Sequence, residues 1–283
     1  MRALSRFPGN LIRRLRGPDE RLGVRLLLTA AVCAVATVPF AFVLVLVEAH
    51  WGPLHRADRS AAENLHRAAL DHPAWVTVLR FLTNGLWSPT VMRLLVAAVV
   101  VWLLYRRAWR LAAWAAVTAA LSSMVGVMVK TAVERARPQL PDPVAHAPGY
   151  SFPSGHAMTA TTSCGVLLLV LLPLVPRGLR ALPWAAAVIS VVGVGYTRVA
   201  LGVHWASDVV GGWLLGLAVL AATTAAFQAW RQEAGLAHTS PAQGLEPELD
   251  TPHTAPEPAL HLGHHPTDEN PSPTDTKEDD SRP

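Results

Sequence analysis

The sequence predicts an all-α, polytopic membrane protein: a six-transmembrane-helix bundle followed by a disordered C-terminal tail. Three observations predict it. Of the 283 residues, 51% are hydrophobic and only 16% are charged, where an ordinary soluble domain carries about 25% charged residues. Mean hydropathy is +0.30, although the last fifth of the chain is strongly polar. Long uncharged stretches cover residues 26–47, 111–129, 157–176, 181–197 and 209–230, each near the roughly 17–25 residues that cross a bilayer as a helix. A soluble globular enzyme is excluded. So is a disulfide scaffold, because the two cysteines, Cys33 and Cys164, both sit inside apolar stretches where packing is their expected role.

Residues 1–24 form a basic N-terminus, expected in the cytoplasm, and residues 1–25 carry seven arginines. The apolar run that follows is 22 residues long, too long for the core of a cleaved signal peptide, which spans about 7–15 residues. It reads as an uncleaved first span. Residues 50–83 read as a polar loop with an amphipathic patch around Leu54, Leu65 and Leu70, expected to be a short interfacial helix without chemistry. In the second span only residues 94–105 are cleanly apolar, so the helix must extend back through Pro89 and include Arg93. A charge inside a span faces protein or water, and Arg93 is expected to be paired within the bundle.

With the four clearer spans the membrane domain covers residues 25–232. Thirteen arginines lie on one side of the alternating helices: seven at the N-terminus, then Arg106, Arg107, Arg110, Arg177, Arg180 and Arg231. Eight basic residues, Arg56, Arg59, Arg67, Arg80, Lys130, Arg135, Arg137 and Arg198, lie on the other. The excess of positive charge on cytoplasmic loops then puts both termini in the cytoplasm. Tryptophans 51, 75, 109, 205 and 230 near span ends fit an interfacial belt.

Net charge is +4 and the pI is about 9.6, yet the basic residues flank apolar helices instead of forming one solvated stripe. They point to a membrane surface and not to nucleic acid. Residues 233–283 hold 11 acidic and 2 basic side chains and nine of the 23 prolines. Such a segment buries too little apolar surface to offset its ordering entropy and reads as a disordered, acidic tail. The group His261, His264 and His265 within it reads as solvated and not as a metal site.

Three polar clusters sit at span ends on the predicted outer side. Lys130 is one of only two lysines against 22 arginines. It ends an apolar helix seven residues before Arg137-Pro138. A lysine presents a compact point charge where an arginine presents a planar fork; taken alone, snorkelling to the interface is the plainer reading. The second cluster, Ser151-Phe-Pro-Ser154-Gly155-His156, opens the fourth span. Ser154 and Gly155 leave free backbone N–H groups at the positive end of a helix, an anion site, and His156 follows directly. The third is Thr197-Arg198, then His204 and Asp208. Four apart on one helix, His204 and Asp208 share a face and can pair, the carboxylate fixing the imidazole tautomer and freeing the other nitrogen. A cap with an interfacial histidine and a structural His–Asp pair are the plain alternatives.

Together these clusters supply three cations, a helix N-terminus and two histidines, the set that phosphoryl transfer needs. No H-E-x-x-H, cysteine cluster or convergent carboxylates offer a metal site. The ordered run K-x6-R-P, P-S-G-H and R-x5-H-x3-D, spanning Lys130 to Asp208, resembles the type 2 phosphatidic acid phosphatase family, whose superfamily includes vanadium haloperoxidases and bacterial acid phosphatases. Thr197 stands where that family usually has serine, and the hydroxyl is retained. The resemblance implies that His204 is a nucleophile forming a phosphohistidine and oriented by Asp208. It implies that His156 protonates the leaving group and then activates water. Lys130, Arg137, Ser154, Gly155 and Arg198 would bind the phosphate, with no metal and no cofactor.

The expectation is a multi-pass cell-membrane lipid phosphatase with an extracytoplasmic site. Its substrate would be a lipid phosphate drawn from the membrane lipids, with phosphatidic acid, phosphatidylglycerol phosphate and polyprenyl diphosphates left open, as is the oligomeric state. A lipid phosphotransferase and a non-catalytic lipid-phosphate transporter are the alternatives. Binding alone needs no nucleophile, which argues against the transporter.

Overall fold

The computed structural model describes residues 34–35, 37–233 and 244–245. The basic N-terminus, the first part of the first span with Cys33, and the tail apart from Glu233, Gly244 and Leu245 lie outside the described residues. Every regular element among the described residues is helical. In chain order they are α1 (Thr37–Glu48), α2 (Gly52–Leu70), α3 (Pro73–Phe81), α4 (Pro89–Tyr105), α5 (Trp109–Val133), α6 (Gly155–Leu171), α7 (Ala181–Ala200) and α8 (Ala206–Glu233). Five helical segments are long and apolar enough to cross a membrane, or six if α1 and α2, bent by 92° at their junction, count as one span.

Helix starts follow local chemistry. Pro89 opens α4 behind Ser88, whose hydroxyl accepts from the Val91 N–H at 3.2 Å. The missing proline N–H is one that a first turn leaves unbonded anyway. The second span therefore begins before residue 94, as its sequence requires, and runs from Pro73 to Tyr105 with a one-turn π segment at Leu82–Leu86. Arg93, however, is exposed and makes no ion pair among the described residues. It stands near the start of α4, where its charge acts on His156, so it does not need a partner in the apolar depth of the bundle.

The polar stretch at residues 50–83, expected to hold one short interfacial helix, holds two helices, the 19-residue α2 and α3. One face of α2 is buried through Asp58, Ala62, His66 and Ala69. Those positions recur at helical spacing, but their composition is too polar to register as an apolar stripe.

α6 is the central helix: 61% of its span is buried, against 11–33% for the other spans. At the end of the bundle away from its start, Leu103, Leu111, Val166, Leu169 and Phe227 close a dry core. Leu245 joins this core with its N–H donating to Leu169 O at 2.7 Å, so at this residue the tail touches the bundle. Near the start of α6, α8 approaches through glycine. A Cβ on Gly212 would lie 2.7 Å from Ser154 O and 3.0 Å from Ala157 Cβ. Small residues at such crossings let helix backbones touch where no apolar driving force separates helix from lipid.

Candidate active site

The α5–α6 connection, the N-terminus of α6 and the turn between α7 and α8 meet at one end of the bundle. His204 lies in that turn and not on α8, which begins at Ala206. Its pairing with Asp208 thus arises from a turn, not from a shared helix face. Asp208 Oδ2 accepts from the Trp205 N–H at 2.8 Å, closing the turn, and faces His204 Nδ1 at 3.4 Å. A short polar side chain that bonds nearby backbone favours such helix starts, and a carboxylate suits the positive end of α8. The same Oδ2 accepts from the Ser151 hydroxyl, and Asp208 Oδ1 accepts from Arg135 Nη1 at 2.6 Å. Asp208 is fully buried with both oxygens bonded.

Burial pushes the His204 imidazole down to about 4, with Asp208 pulling the other way and Arg137 and Arg198 adding to the fall. The ring is therefore neutral near pH 7. A proton on Nδ1, directed at the Asp208 carboxylate, leaves the lone pair on Nε2. That nitrogen lies 3.1 Å from Arg137 Nη1.

The cations converge on the same spot. Arg137 donates through Nη1 to Val203 O at 2.6 Å, through Nε to Gly149 O at 2.9 Å and through Nη2 to Tyr150 O at 3.1 Å. Lys130 Nζ donates to the same Tyr150 carbonyl at 2.7 Å. Arg198 is buried, donates through Nη1 to Thr83 Oγ1 at 3.2 Å, and leaves its Nε without a partner. A desolvated guanidinium N–H with no acceptor is a donor waiting for an anion.

Ser154 caps α6, its hydroxyl accepting from the Ala157 N–H at 3.5 Å while its own N–H donates to Asp208 O at 2.9 Å. A Cβ on Gly155 would meet nothing within 4 Å. The space over the first turn of α6 is thus open, where unbonded N–H groups and the helix dipole favour an anion. His156, half-buried, lies within electrostatic reach of His204, Arg198 and Arg137. All eight residues singled out in the sequence fall in this one region.

Residues 111–232 match the family model of the PAP2 superfamily. Over 183 residues the chain is 32% identical to phosphatidylglycerophosphatase B of Bacillus subtilis (strain 168), covering 63% of this chain and 87% of that protein. The chain belongs to the PAP2 superfamily. A shorter stretch of 67 residues is 45% identical to an undecaprenyl-diphosphatase of Sulfolobus acidocaldarius, covering 24% of this chain and 29% of that one. A crystal structure of a transmembrane PAP2 type phosphatidylglycerolphosphate phosphatase from Bacillus subtilis superposes with a TM-score of 0.60 at 22% identity, covering 71% of this chain and 96% of that chain. That likeness concerns the fold. The protein is accordingly a membrane-spanning PAP2 phosphatase, a hydrolase.

The PAP2 match begins at residue 111 and leaves out α2 and the π segment, which carry two of the four residues that sequence reasoning missed, Asp58 and Thr83; Arg135 and Ser207 lie inside the match. Asp58, Arg135 and Ser207 are bonded directly to the His204–Asp208 pair or to each other. Thr83 holds Arg198 from the second span. The available signal for Asp58 was an acid between Arg56 and Arg59 in an amphipathic pattern. Nothing in its spacing connected it to residues more than 70 positions away.

Proposed function

We propose that this phosphatase hydrolyses a lipid phosphate, a phosphatidylglycerophosphate-like monoester or a polyprenyl diphosphate, through a phosphohistidine on His204. The observation that carries the reading is the neutral, buried His204. Its Nδ1 faces Asp208, and its Nε2 lies 3.1 Å from Arg137 Nη1, with Arg198 within electrostatic reach. The names of the two relatives supply the substrate classes.

In the first step the Nε2 lone pair attacks phosphorus and the P–O bond to the lipid breaks. His156 gives its proton to the departing oxygen. Asp208 stabilises the imidazolium that forms. In the second step His156 takes a proton from water, the hydroxide oxygen bonds to phosphorus, the N–P bond breaks and inorganic phosphate leaves. Lys130, Arg137, Arg198 and the α6 N–H groups neutralise the equatorial oxygens throughout, so the reaction needs no metal.

The arginine asymmetry supports an extracytoplasmic site with cytoplasmic termini. A site at the mouth of a bundle suits an amphiphile whose tails stay in the bilayer. Residues 25–232 would form the catalytic unit, with the acidic tail outside it. The test is phosphate release by purified protein from a panel of lipid mono- and diphosphates in excess EDTA. Release under chelation, with vanadate inhibition, is the expected result. Loss in EDTA that a divalent metal restores overturns the mechanism.

A further inference from the structure

Asp58 is almost completely buried on α2, a helix with no part in the chemistry just described. Its Oδ1 accepts from the Ser207 N–H at 2.9 Å, and its Oδ2 accepts from the Ser207 hydroxyl at 2.5 Å and from Arg135 Nη2 at 2.8 Å. Arg135 Nη1 reaches the other way, to Ser207 Oγ at 2.7 Å and Asp208 Oδ1 at 2.6 Å. One guanidinium thus bridges two buried carboxylates, and the second of these faces His204. The irregular segment after α5 grips the His–Asp pair at both ends, Arg135 on the Asp208 side and Arg137 on the His204 Nε2 side.

A buried ion network is a poor stabiliser, because desolvating its charges offsets most of their attraction. It does fix orientation and charge. With Asp58 present, the cluster Asp58–Arg135–Asp208 carries a net charge of −1, and its Asp208 end faces His204 Nδ1. With Asp58 neutral, Arg135 balances Asp208 alone and the net negative charge is gone. We propose that Asp58 and Arg135 are positioning residues that act on His204 through Asp208. They hold its carboxylate in register with Nδ1 and keep negative charge there as the imidazole becomes cationic. Ser207 joins their two charges. The inference rests on His204 being the nucleophile.

The test uses the purified full-length protein with Asp58→Asn, Asp58→Glu, Ser207→Ala and, as a control, His204→Ala. Asp58→Asn should lower kcat at least tenfold. KM and vanadate inhibition should stay within threefold, because the phosphate-binding cations are untouched. The groups facing His204 are Asp208, Arg137, Arg198 and His156, with Arg135 and Lys130 bearing on Asp208. Asp58 is not among these groups and bears on Asp208 only through Arg135; losing its charge should move the acid limb of kcat/KM to lower pH. Asp58→Glu should restore most of kcat.

A merely structural tie predicts a lower melting temperature with kcat and the acid limb unmoved; that result, or unchanged kcat in folded Asp58→Asn, overturns the proposal. If Asp58→Asn does not fold, Ser207→Ala decides: it removes the hydroxyl that Asp58 and Arg135 share, and should lower kcat threefold or more at unchanged KM. Wild-type kcat in Ser207→Ala overturns the proposal. Turnover in His204→Ala would sink the mechanism beneath it, a failure distinct from loss of the Asp58 effect alone.

Discussion

At one end of α4, α5, α6 and α8 the buried side chains are mostly apolar, among them Leu103, Leu111, Leu169, Val170 and Phe227, with Gln228 and Arg231 the buried polar residues near the end of α8. At the other end, where α2 and α7 join α5, α6 and α8, they include Asp58, Ser151, Ser154, Arg198, His204, Ser207 and Asp208. The dry end holds by shape, and a lost methylene there leaves a void that changes stability. At the polar end the groups are placed by directional bonds, and Arg198 keeps a buried Nε without a partner. The contrast separates residues that keep the bundle standing from residues that make it an enzyme.

The largest expected difference comes from paired substitutions. His204→Ala should abolish turnover on every substrate, with a loss of about 10³-fold or more, while Leu169→Ala should lower the melting temperature and keep kcat within about threefold. Phosphate release and thermal unfolding in detergent measure both. Equal losses of activity would erase the distinction between the ends.

Next comes His156. As general acid it should matter in proportion to the basicity of the leaving oxygen. His156→Ala should lose about 10²–10⁴-fold on an alkyl phosphate such as phosphatidic acid and recover part of that on aryl phosphates and lipid diphosphates. Recovery stays incomplete because the same ring activates water. A uniform loss across leaving groups would reduce His156 to a binding or structural residue.

Two glycines sharpen the comparison further. Gly212→Ala places a Cβ 2.7 Å from Ser154 O, so α8 must move from α6. Both melting temperature and turnover should fall, the latter about tenfold, or roughly 1.4 kcal/mol of barrier. Gly155→Ala meets no protein atom within 4 Å and should keep its melting temperature while KM rises, because the methyl enters the space proposed for phosphate. If Gly155→Ala melts early with normal KM, that space is structural.

The pH dependence is smaller. His204 is held at about 4, below its ordinary value of 6.5. The acid limb of kcat/KM should therefore lie near 4 and not near 6.5. The linkage has the matching sign. Above 6.5 the ring is neutral whether the chain is folded or not. As pH falls from 6.5 towards 4 only the unfolded chain takes up the proton, and stability is lost across that window. Melting curves of the wild type and His204→Asn should diverge between those limits, the variant showing the shallower decline.

The smallest effect is expected from truncation after Glu233. It removes the acidic tail and the Leu245 contact with Leu169, far from the polar end. A slightly lower melting temperature with turnover changed less than about tenfold is the expected result.

Much of this was legible in the chain. Bilayer-length apolar runs can satisfy their backbone only as helices, so the bundle followed from composition and length. Lys130, Arg137, Ser154, Gly155, His156, Arg198, His204 and Asp208 stood out as an ordered set, K-x6-R-P, P-S-G-H and R-x5-H-x3-D, where each cluster alone had a plain structural reading. Reading His204 and Asp208 as one helix face found the right pair by the wrong geometry, since spacing of four suits both a helical face and the turn that Asp208 closes.

The sequence by itself determined that the chain is a bundle of membrane-length helices and which residue types supply a phosphate site, because hydropathy and local spacing are properties of a short window. Only the tertiary structure decided that α2 belongs to the site and that Arg135 faces Asp208 while Arg137 faces His204. Those contacts join Asp58 to residues 77 and 149 positions away. A buried charge is stable only where the fold brings it a partner, and a local pattern cannot say which partner that will be.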